Sequence, residues 1–218
     1  MIRRNRVLGV VGALLLLAVG TGCGSKVSGT ALASVCAKHR LTQCLDYEPT
    51  PPGNEVVLRV WVEEGWRKAA SMLCSALPNE KLNRLMGEGN EHYRYLSSAR
   101  SGSCNIVTEQ SGPQNNQQFS IELSMRTKTL RDYETTGHAE RTEVSGHPAR
   151  IERGGQGVSR SVKYTIATGT SPNTGGVLFV RTKTESARGV YTDSELDYSH
   201  MNSVRSAVAE SYVAAVLE

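Results

Sequence analysis

Five cysteines and five histidines carry most of the chemical potential of this 218-residue chain. The histidines are His39, His92, His138, His147 and His200. No two have the i, i+4 spacing of a helical metal site, and no His-Glu-x-x-His motif occurs. His138 and His147 would meet across a hairpin, but a turn-exposed histidine is the commoner outcome, and His147 before Pro148 already has a structural role in a turn. Asp193, Glu195 and Asp197 alternate, a pattern that attracts calcium. They lack the glycine and spaced oxygens of an EF-hand, and acids ahead of a helix are favoured by its dipole anyway. Gly154-Gly155-Gln156-Gly157 reads as a hairpin turn rather than a phosphate cradle. There is no Gly-x-Ser-x-Gly elbow and no Walker loop. Serines are abundant, and nothing selects a Ser/His/Asp set. The expectation is no enzyme, no metal and no cofactor.

What the cysteines do depends on the compartment. Arg3, Arg4 and Arg6 precede an uncharged stretch, Val7 to Val19, and then Gly20-Thr21-Gly22-Cys23. Basic, apolar and small-residue regions in that order form a secretory signal. The 13 apolar residues make a helix of about 20 Å, short of the roughly 30 Å hydrocarbon core, so cleavage is favoured over a permanent span. Residues 1–22 are expected to be a signal peptide. Gly24 to Val35, small and polar, belongs to a flexible tether over 23–35, and 36–218 is expected to form one extracytoplasmic domain. Export implies an oxidising environment, so Cys36, Cys44, Cys74 and Cys104 are expected in disulfides. Four cysteines allow three connectivities. Cys36–Cys44 with Cys74–Cys104 is favoured: the first closes a short local loop and the second ties a helix to a later strand, contributing roughly 3–4 kcal/mol. A zinc site of all four thiolates is disfavoured, because no Cys-x-x-Cys pair exists.

The charge balance excludes some partners. There are 25 basic and 21 acidic side chains, and cleavage before Cys23 removes three arginines and no acid. A side-chain charge of +1 remains, which gives no electrostatic case for nucleic acid. Aromatics at 6% are too sparse for a stacking platform. Residues 185–218 hold six acidic and two basic side chains, as a solvated helix face would.

Periodicity supplies the elements that must position these groups. Val56, Leu58, Val60 and Val62 alternate and suggest a strand. Trp66, Ala69, Ala70, Leu73 and Leu77 line one face of a helix. Asn79 is placed to cap a second helix carrying Leu82, Leu85 and Met86, with Gly87 as its stop. Glu88 to Ser103 has no clear period. Phe119, Ile121, Leu123 and Met125 alternate with polar residues in the clearest half-buried strand. Further strands are expected at 104–109, 141–145, 149–153, 159–168 and 177–184, joined by Gly/Pro/Ser/Asn turns. Leu130 to His138 is a short helix or a crossing segment. Met201, Val204, Val208, Tyr212, Ala215 and Val216 form the stripe of a last helix, with Arg205 largely off it. The fold class expected is α+β: an antiparallel sheet of about five or six strands, with helices on one face including a C-terminal helix.

Gly20-Thr21-Gly22-Cys23 is similar to a lipobox, which implies acylation of Cys23. The chain as a whole resembles actinobacterial, mycobacterial-type cell-envelope lipoproteins that carry a domain of unknown function. Besides Cys23, the likeness rests on Cys74 in Ala70-Ser71-Met72-Leu73-Cys74, on Cys104 opening a strand, on Val144-Ser145-Gly146-His147-Pro148-Ala149, and on Ala207-Val208-Ala209 leading to Leu217. It covers about residues 30–218 and implies a membrane-anchored location but no activity. The function expected is a non-catalytic binding module for an envelope lipid, polymer or small molecule; a sheet half-covered by helices can open a pocket between its layers, and a deep apolar cavity there would favour this reading. The alternative is an accessory or structural subunit of an envelope protein complex.

Overall fold

The structure, a computed structural model, describes Leu45 and residues 57–88, 90–97, 102–109, 117–134, 139–155, 160–186 and 199–218. Its organising element is β3 (Gln117–Arg126), where Phe119, Ile121, Leu123 and Met125 are all buried and the intervening residues face away from the helices. Around it lie β1 (Glu91–Leu96), β2 (Ser103–Glu109), β4 (Glu140–Val144), β5 (His147–Gly154), β6 (Arg160–Ala167) and β7 (Val177–Ser186). The sheet has seven strands rather than five or six, in the order β1-β2-β3-β7-β6-β5-β4, and every pairing is antiparallel. It is two meanders, β1 to β3 and β4 to β7, joined where β7 pairs with β3. Short connections make antiparallel neighbours. The tightest is Ser145-Gly146, whose φ values of 49° and 78° match the two-residue hairpin turn that suits strand twist.

Helices α1 (Val57–Glu64), α2 (Trp66–Ser75), α3 (Asn79–Met86) and α4 (Ser199–Val216) accompany the sheet. The α2 stripe is as expected, with Ala69, Ala70, Leu73 and Leu77 at 1% exposure or less. On α4, Val204, Val208, Ala209, Tyr212 and Val213 are buried. One residue breaks the expected pattern there: Arg205 is buried too, at 4% exposure.

Two local expectations are corrected. Residues 57–64 form helix α1, not a strand: Val57 and Val60 are buried while Val62 is 66% exposed. Asn79 does not cap α3. Pro78 occupies that position without a side-chain cap bond, and the Asn79 carboxamide oxygen accepts from Arg94 Nη1 instead. Arg94 also donates from Nε to Cys74 O at 2.9 Å and from Nη2 to Leu77 O at 2.8 Å. A guanidinium from β1 thereby satisfies carbonyls at the end of α2, where helical acceptors run out. Gly87 does end α3, its N–H bonded to Asn83 O.

The disulfide Cys74–Cys104 links α2 to β2, with both residues fully buried and their Cα atoms 5.4 Å apart. On the opposite face, a 3-10 turn over Leu130–Tyr133, closed by a Thr129/Asp132 capping box, covers Ala167 and Val177. It carries the chain from β3 at the centre to β4 at the edge.

Candidate functional site

Register sets the chemistry of the helix-facing side of the sheet. Successive rows across it read Leu96–Cys104–Leu123–Val180–Tyr164–Ile151, then Arg94–Ile106–Ile121–Thr182–Val162–Arg153, then His92–Thr108–Phe119–Thr184–Arg160. The first row is apolar from Leu96 to Ile151 but for one phenol hydroxyl, and ends on Glu140 of β4. The next two turn polar at both flanks, and threonine replaces valine along β7. Arg205 of α4 fills that place. Its Nη1 donates to Thr182 O at 3.0 Å and Thr182 Oγ1 at 2.8 Å, and its Nη2 to Thr184 Oγ1 at 3.0 Å. Nη2 also lies 3.4 Å from Arg160 O, and the guanidinium carbon is 5.7 Å from the Phe119 ring centroid, a cation–π contact.

Beside Arg205 lies a cleft of about 630 Å³ that reaches Gly154 and Gly155 at the end of β5. Arg153, Arg160, Tyr164 and Arg205 line it, with Ser161 and Ser206 adding hydroxyls and Ile151 and Val162 an apolar wall. Among the described residues that line it, none is acidic. Burial pushes the Tyr164 phenol above its usual pKa, against the pull of Arg153 and Arg205, while Glu210 adds to the rise. Burial lowers the Arg205 pKa; Tyr164 opposes this and the like charge of Arg160 reinforces it. These groups therefore sense one another, and a guanidinium stays charged under such shifts. Arg153 holds Glu140 at 2.8 Å on its exposed side.

A second groove of about 260 Å³ lies on the opposite face, between Glu122, Ser124, Lys163, Phe179 and Arg181. Its cations meet carboxylates within the same face: Arg181 is 3.9 Å from Glu122, and Lys163 is 3.3 Å from Glu152. The space between sheet and helices, where an apolar pocket was expected, is filled by Phe119, Leu73, Leu77, Leu82 and Tyr212, each at 1% exposure or less.

Of the residues singled out in the sequence, Cys74 and Cys104 are the pair brought together among the described residues. Cys74 and Cys104 form the buried disulfide. Cys23, Cys36, Cys44, His39, His138, Asp193, Glu195 and Asp197 lie outside the described residues. His92 is buried between Thr108 and Asn83. His147 begins β5, its Nδ1 3.1 Å from Ala167 O. Among the described residues no cluster of His, Cys, Asp or Glu can hold a metal, and no helix is long and apolar enough to cross a membrane. Gly154 and Gly155, read as part of a turn, do leave β5 there, and they form the mouth of the cleft. Sequence reasoning missed Arg153, Arg160 and Arg205. The available signal was that Arg205, read as lying largely off the apolar stripe, stands next to Val204 and four residues from Met201, at the stripe's edge. No known protein family, curated protein or solved structure matches the chain.

Proposed function

We propose that this chain is a lipid-anchored cell-envelope protein facing outside the cytoplasm, and that its domain is a non-catalytic binding module with the arginine-lined cleft as its ligand site. The observation that carries this reading is the cleft itself. At about 630 Å³ it falls in the range of small-molecule sites, and one wall is a buried guanidinium held by Thr182 and Thr184. Such preorganisation lowers the ordering cost of binding. Among the described residues that line the cleft, the hydroxyls of Tyr164, Ser161 and Ser206 stand beside arginines, and no histidine or carboxylate is among them.

The N-terminal pattern ending at Cys23 supports the anchor, and a buried disulfide supports an oxidising compartment. The resemblance to actinobacterial envelope lipoproteins agrees with that placement and assigns no activity. Core side chains fill the interlayer space, so no apolar cavity among the described residues lends this reading its support; the cleft at the edge of α4 is what supports it.

The test is to extract the parent protein and Cys23→Ala from envelope membranes and to analyse each by mass spectrometry for proteins and small molecules. Expected are a parent that fractionates with membranes, a variant that does not, and a small molecule released when the parent is denatured. Tight membrane association of Cys23→Ala would reject the anchor, and a denatured parent that releases nothing would reject the binding module.

A further inference from the structure

The two edges of the sheet are finished differently. At β1 the chain closes its own edge, with Leu45 N–H donating to Arg94 O at 2.9 Å. β4 forms the other edge, and its hairpin fixes which backbone groups are open there. Ser145-Gly146 is a two-residue turn, so Val144 and His147 form a hydrogen-bonded pair and the pairs alternate from there. Val144, Thr142 and Glu140 turn their N–H and C=O groups toward β5, opposite His147, Ala149 and Ile151. Arg141 and Glu143 turn theirs outward. Among the described residues nothing bonds to those outward groups, and both residues are exposed.

Open groups on an edge strand are a template for another strand, and the side chains select which one. Arg141 and Glu143 lie on the sheet face away from the helices, because they stand opposite Arg150 and Pro148, while Ala149 and Ile151 enter the core. We infer that β4 pairs antiparallel with β4 of a second copy of this chain, about a two-fold axis through Thr142. Arg141 then stands opposite the partner's Glu143, and Glu143 opposite the partner's Arg141. Both are hydrogen-bonded pairs, each exchanging its N–H···O bonds, and both join opposite charges. Moving the axis to Arg141 or to Glu143 also matches outward groups, but it sets like charge against like. Registers between these set outward groups against inward ones. Charges ordinarily guard an edge strand; here they exclude the neighbouring registers and leave one. Arg141 already donates to Glu134 at 3.2 Å and is itself 83% exposed. Such a pair is weak, and a guanidinium with five N–H donors can hold both acids. Glu143 has no ion pair among the described residues. The contact is isologous, so it closes at two copies. A strand of 5 residues buries little area, which makes the dimer a weak one.

Disulfide trapping of the full-length protein under mild oxidation tests the pairing. It is read as a reducible dimer on a denaturing gel, with the linked peptides identified by mass spectrometry. Facing residues on the axis stand about 4.5 Å apart at Cα, within disulfide reach. Thr142→Cys should therefore be trapped as a 142–142 dimer at least about ten times more than Arg59→Cys on the exposed side of α1. Arg141→Cys and Glu143→Cys should link when mixed, and neither should link to itself. Added to Thr142→Cys, Arg141→Glu should lower trapping at least about fivefold, and Arg141→Glu together with Glu143→Arg should restore it. Arg141 and Glu143 are exposed and Thr142 is half-buried, so the variants are expected to fold, which circular dichroism verifies. Thr142→Cys trapped no better than Arg59→Cys, or trapping indifferent to the charge at residue 141, would overturn the inference. Self-linkage of Arg141→Cys or Glu143→Cys as strong as that of the mixture would reject the register and with it the axis. A cross-link from Thr142→Cys to a different protein would give the edge to another partner and reject the second copy.

Discussion

His92 uses both ring nitrogens inside the protein. Nε2 lies 2.8 Å from the Asn83 carboxamide oxygen, which only accepts, so Nε2 carries the proton; Nδ1, 2.9 Å from Thr108 Oγ1, then accepts from that hydroxyl. Burial first, and the charge of Arg94 second, lower its pKa from 6.5 to about 4. In the unfolded chain the ring gains a proton below about pH 6.5, whereas in the folded protein it resists to about pH 4. Between those values the unfolded state binds more protons. The stability is therefore fully present above pH 6.5 and is lost as pH falls toward 4, by roughly 3 kcal/mol. The denaturant midpoint of the parent should fall more steeply over that window than that of His92→Gln, and parallel slopes would contradict this. Tyr212 is the opposite case. Its hydroxyl is buried with no hydrogen-bond partner among the described residues, and burial raises its pKa. Tyr212→Phe keeps the ring and removes the unsatisfied group, so it should raise unfolding free energy by about 1 kcal/mol; a loss of stability in urea would show that the hydroxyl is satisfied. Neither role was legible in sequence, because the partners Asn83 and Thr108 stand 9 and 16 residues from His92. Arg205 was hidden in the same way: a cation at the edge of an apolar stripe reads as a solvent-facing residue until its acceptors Thr182 and Thr184, 23 and 21 residues away, are known to face it.

Elements with a single strong period were legible, and ambiguous ones were decided by packing. In β3 only alternation fits the residues, and β3 is a strand. In residues 56–62 two readings coexist, since Val56, Leu58, Val60 and Val62 alternate while Val57, Val60 and Trp61 fit a helical face. A short apolar run cannot be assigned by periodicity alone. What decides is the surface available: α1 lays Val57 and Val60 into the core and brings Leu58 and Trp61 against the end of β3, where Arg126 stacks 6.0 Å from the Trp61 ring centroid. β1 escaped notice because Arg94 and His92 occupy its core-facing positions, so its buried side is not apolar in sequence. The close approach of α1 to the sheet also fixes a glycine. A Cβ on Gly176 would stand 2.2 Å from Arg126 O and 3.2 Å from Leu58 Cδ1. The first contact is with backbone inside the β3–β7 ladder and cannot yield without breaking register. Gly176→Ala should therefore cost about 2–3 kcal/mol, in the upper part of the usual range for overpacking, read as a drop in the urea midpoint. A change within about 0.5 kcal/mol, typical of an innocuous surface site, would mean the ladder shifts freely there.

Across the whole molecule, the two meanders could have been separate folding units, and their order along the chain suggests as much. The core argues otherwise. One continuous cluster runs from Val57 and Leu73 through Phe119 and Leu123 to Val180, Ile166 and the α4 residues Val208 and Tyr212. The β3–β7 ladder joins the halves along ten residue pairs, and α3 touches α4 across the same layer. The cleft exists only because both halves are present: Arg205, on the last helix, packs on Phe119 of the first meander while it bonds to β7 of the second. A site assembled from residues up to 55 positions apart (Ile151 to Ser206) leaves no local motif, so sequence reading met only its glycine turn. The disulfide makes this cooperativity measurable. Cys74–Cys104 closes a loop with a separation of 30 residues, and the chain-entropy model gives it about 3–4 kcal/mol. It sits wholly within the first half, and both tryptophans, Trp61 and Trp66, lie there too. If the halves were independent, reduction would weaken the tryptophan signal's transition and leave much of the far-ultraviolet dichroism behind. With a shared core, reduction should shift the whole molecule, so that fluorescence and dichroism unfold together before and after reduction, at a midpoint lower by the equivalent of about 3–4 kcal/mol. A fluorescence transition that runs ahead of the dichroism in the reduced protein would divide the fold at β3 and β7, and would place the cleft on a boundary rather than in a single body.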